Sequence, residues 1–154
     1  MPRTSCRARG YTLVELVMVM AVLAVLVGIG VPGLRGLILT QRIKNASFDV
    51  FSTLTFARSA AITRNGTVTI APVSGNWSNG WTISEAGGTV IRRQDALSNV
   101  TISGPAAVSY NAMGRLNSAV SAFSLNATGV TGSNLRCISI DLSGRPVIKS
   151  EACS

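Results

Sequence analysis

Fourteen lysine or arginine side chains, six carboxylates and three thiols supply most of the reactive chemistry in this 154-residue chain, and there is no histidine. The commonest general base and the commonest metal ligand are therefore both missing. Glu85, Asp95 and Asp141 are too few and too scattered for paired-carboxylate catalysis or a calcium cage. Cys137 and Cys153 close a loop of about 16 residues near the end of the chain, and with no third or fourth ligand they make a poor zinc site. A disulfide between them would contribute about 3 kcal/mol in an oxidising compartment, and two buried thiols are the alternative. No nucleophile elbow is present, so no catalytic residue, metal ligand or cofactor is assigned.

The remaining acid of interest is Glu15, at the edge of the apolar stretch "YTLVELVMVMAVLAVLVGIGVPG". Residues 16–34 carry no charge, and about 20 apolar residues suffice to cross a hydrocarbon core as a helix. An ionised carboxylate inside such a segment costs on the order of 2.5–3.5 kcal/mol, which marks Glu15 as a functional position in search of a cation. Arg3, Arg7 and Arg9 precede the segment and favour a cytoplasmic N-terminus with the rest of the chain sent across. An ordinary secretory signal is a worse fit, because the apolar run is longer than usual and continues as helix instead of opening into a polar cleavage region.

Three kinds of element must position these groups. After Arg35, Leu39, Ile43, Ala46, Val50, Leu54, Ala57 and Ala61 recur at spacings of three and four, one apolar stripe of an amphipathic helix. Residues 12–64 read as one helix, roughly 80 Å long at 1.5 Å per residue, loosened where Gly28, Gly30, Pro32, Gly33 and Gly36 cluster. "RNGTVTI" ends it. Strands are then expected at 67–71, 80–84, 89–93, 100–103, 122–126, 136–141 and 146–150, separated by Gly, Asn, Ser and Pro. The fold class is α+β, an antiparallel sheet or small sandwich burying one face against the helix stripe. No internal repeat is evident.

The composition fits this plan. Apolar residues make up 47% and charged residues 13% of the chain, a membrane-linked balance, and 5% aromatics argue against a base-stacking platform. The net charge is +8, and removing Arg3, Arg7 and Arg9 leaves +5. That excess suits nucleic acid, an anionic bilayer or plain solubility.

A short basic leader ending in Gly10, then Tyr11, Thr12, Leu13 and Glu15 ahead of an unbroken apolar helix, resembles the leader of type IV prepilins and type II secretion pseudopilins. The resemblance implies cleavage after Gly10 by a membrane prepilin peptidase and methylation of the new amine at Tyr11. It also implies that Glu15, fifth in the mature chain, neutralises a neighbouring subunit's amine during assembly, with Pro32 as the helix-kinking proline. Tyr11 departs from the usual phenylalanine or methionine but keeps an aromatic. "FARSAAITRNGTVTI", "WSNGWTISEAGG", "YNAMGRLNSA" and "RCISIDLSGRPVIKSEAC" are similar to GspH/FimT minor pilins and pseudopilins, several of which end in a disulfide-closed hairpin containing Gly-Arg. The implied organisation is a leader at 1–10, a transmembrane and filament-core helix at 11–34, its amphipathic continuation at 35–65, and a β-rich periplasmic domain at 66–154.

Two functions follow as expectations. The first is structural: an inner-membrane subunit cleaved by prepilin peptidase, which joins other pilins in a type IV pilus or a secretion pseudopilus. The second is a pilus-tip receptor for double-stranded DNA, since some FimT-like proteins bind DNA through a Gly-Arg-x-Arg element. Here Gly144, Arg145 and Pro146 are followed by Val147 in place of the second arginine, and Lys149 lies on the same strand face. Arg92, Arg93, Arg115 and Arg136 complete the candidate phosphate-contacting set. Arg115 is expected at a β-turn beside Gly114, and Trp77 and Trp81 are expected to pack under a loop.

Overall fold

A computed structural model describes residues 11–127 and 135–153, with side chains throughout except at 29–35. Its helix α1 (Leu13–Thr63) is followed by eight strands: β1 (Val68–Pro72), β2 (Trp81–Glu85), β3 (Val90–Gln94), β4 (Val100–Ser103), β5 (Val108–Tyr110), β6 (Phe123–Ala127), β7 (Arg136–Ile140) and β8 (Pro146–Lys149). The chain divides into two compact units, Met1–Leu37 and Ile38–Ser154, which are taken separately.

In the first unit the described apolar side chains are exposed, Leu13, Val17, Met20 and Leu26 among them. A helix that is apolar on every side has its burial elsewhere, in lipid or among other helices. No helix among the described residues is long and apolar enough to cross a membrane. The expected span at 16–34 runs into 29–35, where the side chains, Pro32 included, lie outside the described residues. The leader with Gly10 lies outside them too.

The second unit is built on the stripe read from the sequence. Ile43, Ala46, Val50, Leu54, Ala57 and Ala61 are all buried, with Leu39 packed at the margin. Ser47 and Thr53 join the buried set. The helix stops where Asn65 takes a positive φ of 48°, Gly66 N–H donates to Ala61 O at 3.1 Å, and Asn65 N–H donates to Ile62 O at 3.2 Å. This pair of bonds closes the last carbonyls of the helix, and asparagine and glycine tolerate the geometry best.

The strands form two antiparallel four-stranded sheets, ordered β3-β2-β1-β5 and β4-β6-β7-β8. Alternation along each strand sends Val68, Ile70, Trp81, Ile83, Val108 and Tyr110 inward from the first sheet, and Val100, Ile102, Phe123, Leu125 and Ile138 inward from the second. Register aligns them, Ile70 opposite Ile83 and Phe123 opposite Ile138. One continuous core unites both sheets with the helix stripe. All seven expected strands are present within a residue or two of their expected ends, and β5 is an addition. It is three residues long and its apolar pattern is only Val108 and Tyr110, too short to read as a period.

Trp77 and Trp81 are buried, as expected of packing residues. The Trp77 indole N–H donates to Pro105 O at 2.8 Å, and its ring meets the Phe123 ring edge-on at 4.8 Å between centroids. Sulfur atoms of Cys137 and Cys153 are joined, which ties the tail after β8 back to β7.

Candidate functional site

At the start of α1, the sequence Thr-Leu-Val-Glu is a reciprocal cap. Glu15 N–H donates to Thr12 Oγ1 at 3.3 Å, and Thr12 N–H donates to Glu15 Oε2 at 3.4 Å. Two of the four amides that a helix leaves unpaired at its N-terminus are thus satisfied. The carboxylate also lies at the positive end of the helix dipole, where negative charge is favoured. Tyr11, just ahead of the cap, is exposed. Thr12 was not singled out from the sequence, although the Thr-x-x-Glu spacing is a readable signal.

The six candidate cations do not form one surface. Arg92 and Arg93 lie on β3, an edge strand of the first sheet. The Arg92 guanidinium sits over the Phe56 ring at 5.6 Å, against α1. Burial raises the pKa of the Asp49 carboxyl, and the Arg92 charge partly offsets that. In the second sheet, Arg136 is opposite Leu125, and with Lys44, Ser47, Phe48 and Ile148 it lines a depression beside α1. Lys149 is opposite Cys137, the neighbour of Arg136, so it stands on the other face of that sheet. It pairs with Glu151 at 3.5 Å.

The turns that carry Arg115 and Arg145, by contrast, are brought together, and each is built on a device that the sequence repeats. "NAMGR" at 111–115 follows β5 and "DLSGR" at 141–145 joins β7 to β8. In the first turn, Gly114 N–H donates to Asn111 O at 2.8 Å and Asn111 N–H to Arg115 O at 2.9 Å. Asn111 Oδ1 accepts from the Met113 and Arg115 amides at 3.0 and 3.1 Å. In the second, Gly144 N–H donates to Asp141 O at 2.9 Å and Asp141 N–H to Arg145 O at 3.3 Å. Asp141 Oδ1 accepts from the Arg145 amide at 2.9 Å and from the Ser143 hydroxyl. Both glycines have positive φ, 70° and 82°. Each turn is a hairpin bend in which the side chain of an Asn or Asp holds the amides and a glycine takes the left-handed position.

The two turns are packed against each other. Leu116 N–H donates to Leu142 O at 3.3 Å. A Cβ on Gly144 would lie 2.2 Å from Gly114 O and 3.0 Å from the ring of Tyr110. A Cβ on Gly114 would lie 2.6 Å from Ile62, so α1 backs the first turn as the first backs the second. Beneath them Tyr110 is fully buried, and burial pushes its phenol up to about 12. The Ser143 hydroxyl and then the Arg145 amide hold the Asp141 carboxyl below its ordinary value. Arg115 and Arg145, exposed, leave the turns from equivalent positions. Among the described residues no group of three or more His, Cys, Asp or Glu side chains is placed to hold a metal ion.

Comparison with known proteins adds the following. A family model described as Type II transport protein GspH matches residues 47–144, and one described as Prokaryotic N-terminal methylation motif matches residues 5–31. No curated protein matches the chain. Two crystal structures of the type IV minor pilin FimU of Pseudomonas aeruginosa strain PAO1 share its fold. One is 23% identical, with 74% of this chain and 94% of that chain covered and a TM-score of 0.64. The other, from a second crystal form, is 24% identical, with 72% and 97% covered and a TM-score of 0.61.

Proposed function

This chain belongs to the GspH family, within the type IV pilin and pseudopilin superfamily, and from that membership we propose that it is a low-copy structural subunit of a type IV pilus or a type II secretion pseudopilus. In this reading prepilin peptidase removes residues 1–10 after Gly10, and Tyr11 becomes the methylated N-terminus. Residues 11–34 anchor the subunit in the inner membrane and later lie in the filament core, with Pro32 bending the helix. Residues 35–65 continue that helix, and residues 66–154 form the periplasmic domain. The partners are the peptidase and other pilins or pseudopilins, and the role is non-catalytic.

The observation that carries the reading is the placement of Glu15. It is the single charged residue between Gly10 and Arg35, it falls inside the matched methylation motif, and it stands at the first turn of α1, just ahead of that helix's uncharged stretch 16–34. Once this segment lies in a membrane, the acid needs a cation, and an incoming subunit's N-terminal amine supplies one. Glu15→Ala is expected to be cleaved and membrane-bound yet absent from sheared filaments. Incorporation at the wild-type level defeats the reading.

The alternative, a tip subunit that holds double-stranded DNA, draws on the packing of the two turns that carry Arg115 and Arg145. Two phosphate contacts give a salt slope of about −1.8 and roughly a tenfold loss of affinity between 50 and 200 mM salt. Lys149 is paired to Glu151, Arg136 lies on the opposite sheet face and Arg92 sits over Phe56.

A further inference from the structure

We propose that the paired turns at 111–115 and 141–145 are a docking surface for an acidic, amphipathic segment of a different protein. The inference stands on the geometry of the turns and holds whether or not the chain enters a filament. Each turn carries a large apolar side chain out into solvent, Met113 at 74% and Leu142 at 56% exposure. Each then presents an exposed arginine directly after its glycine. Among the described residues the ion pairs are Arg64 with Glu85 and Lys149 with Glu151, so neither Arg115 nor Arg145 is in one. The acid in the turns, Asp141, is held by the Ser143 hydroxyl and the Arg145 amide and also feels the Arg145 charge, so Arg115 is the cation of the pair with no acid in its own turn.

The backbone beneath these four side chains is fixed by the bonds within and between the turns, so little order has to be imposed on binding. Methionine and arginine together are what the buried centres of protein interfaces enrich. A phosphate backbone would use the two guanidinium groups and leave Met113 and Leu142 in water, whereas a peptide segment with apolar side chains between carboxylates engages all four. A second copy of this chain does not supply that segment. It has only six acids: Glu85 and Glu151 are in ion pairs, Asp141 holds its turn, Glu15 caps its helix, and Asp49 lies near Arg92. Only Asp95 is left, against a net charge of +8.

The test uses the full chain in detergent micelles with its methionine methyls labelled with carbon-13. Of the four methionines, Met113 alone lies in the unit Ile38–Ser154, so its methyl resonance is a local reporter. The probes are a synthetic peptide of alternating glutamate and leucine, the same peptide with lysine for glutamate, and a short DNA duplex. The glutamate peptide is expected to shift the Met113 resonance saturably, and the lysine peptide to leave it unmoved. Arg115→Gln with Arg145→Gln, and separately Leu142→Ser, are expected to weaken binding about tenfold, the size of loss that marks an interface centre. No shift with the glutamate peptide, or equal shifts with both peptides, overturns the proposal. So does a shift with DNA that Leu142→Ser leaves intact, which would make the surface a nucleic-acid contact. The two-peptide comparison decides the matter even if a variant fails to fold.

Discussion

The indole N–H of Trp81 donates to the hydroxyl of Thr53 at 3.0 Å, a buried bond that fixes β2 to α1. Both residues are buried, Trp81 at 1% and Thr53 at 5% exposure. A threonine in the apolar stripe is thereby explained, since a buried indole needs an acceptor and the helix supplies it. Thr53→Val keeps the shape and removes the acceptor. It is expected to cost about 1–3 kcal/mol in denaturant unfolding followed by tryptophan fluorescence, with Thr53→Ser costing less.

Gly144 separates two effects that are usually mixed. It has a φ of +82° and its missing Cβ is replaced by Gly114 O, whereas Gly88 has the same φ of +82° with nothing within 4 Å. Gly88→Ala therefore measures backbone strain alone, about 1 kcal/mol. Gly144→Ala adds the forced separation of the paired turns and is expected to lose at least about 1 kcal/mol more. Equal losses would mean that the contact between the turns contributes nothing to stability.

Much of this fold is readable in the residues. The helix stripe from Ile43 to Ala61 and the alternation of β1, β2, β4 and β6 follow from period alone, because the inward positions are apolar apart from Ser47 and Thr53 on the helix. The candidate site was legible in pieces. Arg115 reads as a turn residue from Gly114, and the resemblance implies a hairpin at Gly144 and Arg145, but that the turns touch is a tertiary fact set by β5 and β7 lying in different sheets. The repetition of "N-x-x-G-R" and "D-x-x-G-R" was in plain view, yet five residues repeated once fall below any repeat period that signals an architecture. Arg92 and Arg93 fall in the first sheet and Arg136 on the face of the second sheet away from Lys149. That separation is not legible, since sequence shows alternation along a strand but not which sheet or face a strand joins.

Stability is expected to fall at both ends of the pH range. Asp141 has a native pKa below its ordinary 3.8, so its contribution is complete above that value and is lost as pH falls through the native one. Tyr110 has a native pKa raised from 10.0 to about 12, so the folded state favours the neutral phenol. Its contribution is complete below pH 10 and is lost between 10 and about 12. Asp49, raised by burial, acts in the opposite sense to Asp141. The comparison is therefore between variants: Asp141→Asn is expected to flatten the acid limb and Tyr110→Phe the alkaline limb of a melting-temperature profile. Unchanged limbs would assign the pH dependence to other groups.

The reciprocal cap gives Glu15 a role inside its own chain that is separable from its charge. Glutamine serves at the third helical position of such a cap as glutamate does, so Glu15→Gln keeps the bond to Thr12 and discards the negative charge. Thr12→Val does the reverse, and loss of a cap of this kind costs about 1 kcal/mol, or about fivefold faster amide exchange over residues 13–16. If assembly depends on neutralising a neighbour's amine, Glu15→Gln fails to enter filaments as Glu15→Ala does, and Thr12→Val enters them with only a frayed helix start. If instead the cap is what assembly requires, Glu15→Gln assembles and Thr12→Val does not. Counting each variant in sheared filaments, with cleavage checked on the same samples, distinguishes the two, and the expected result is that charge decides.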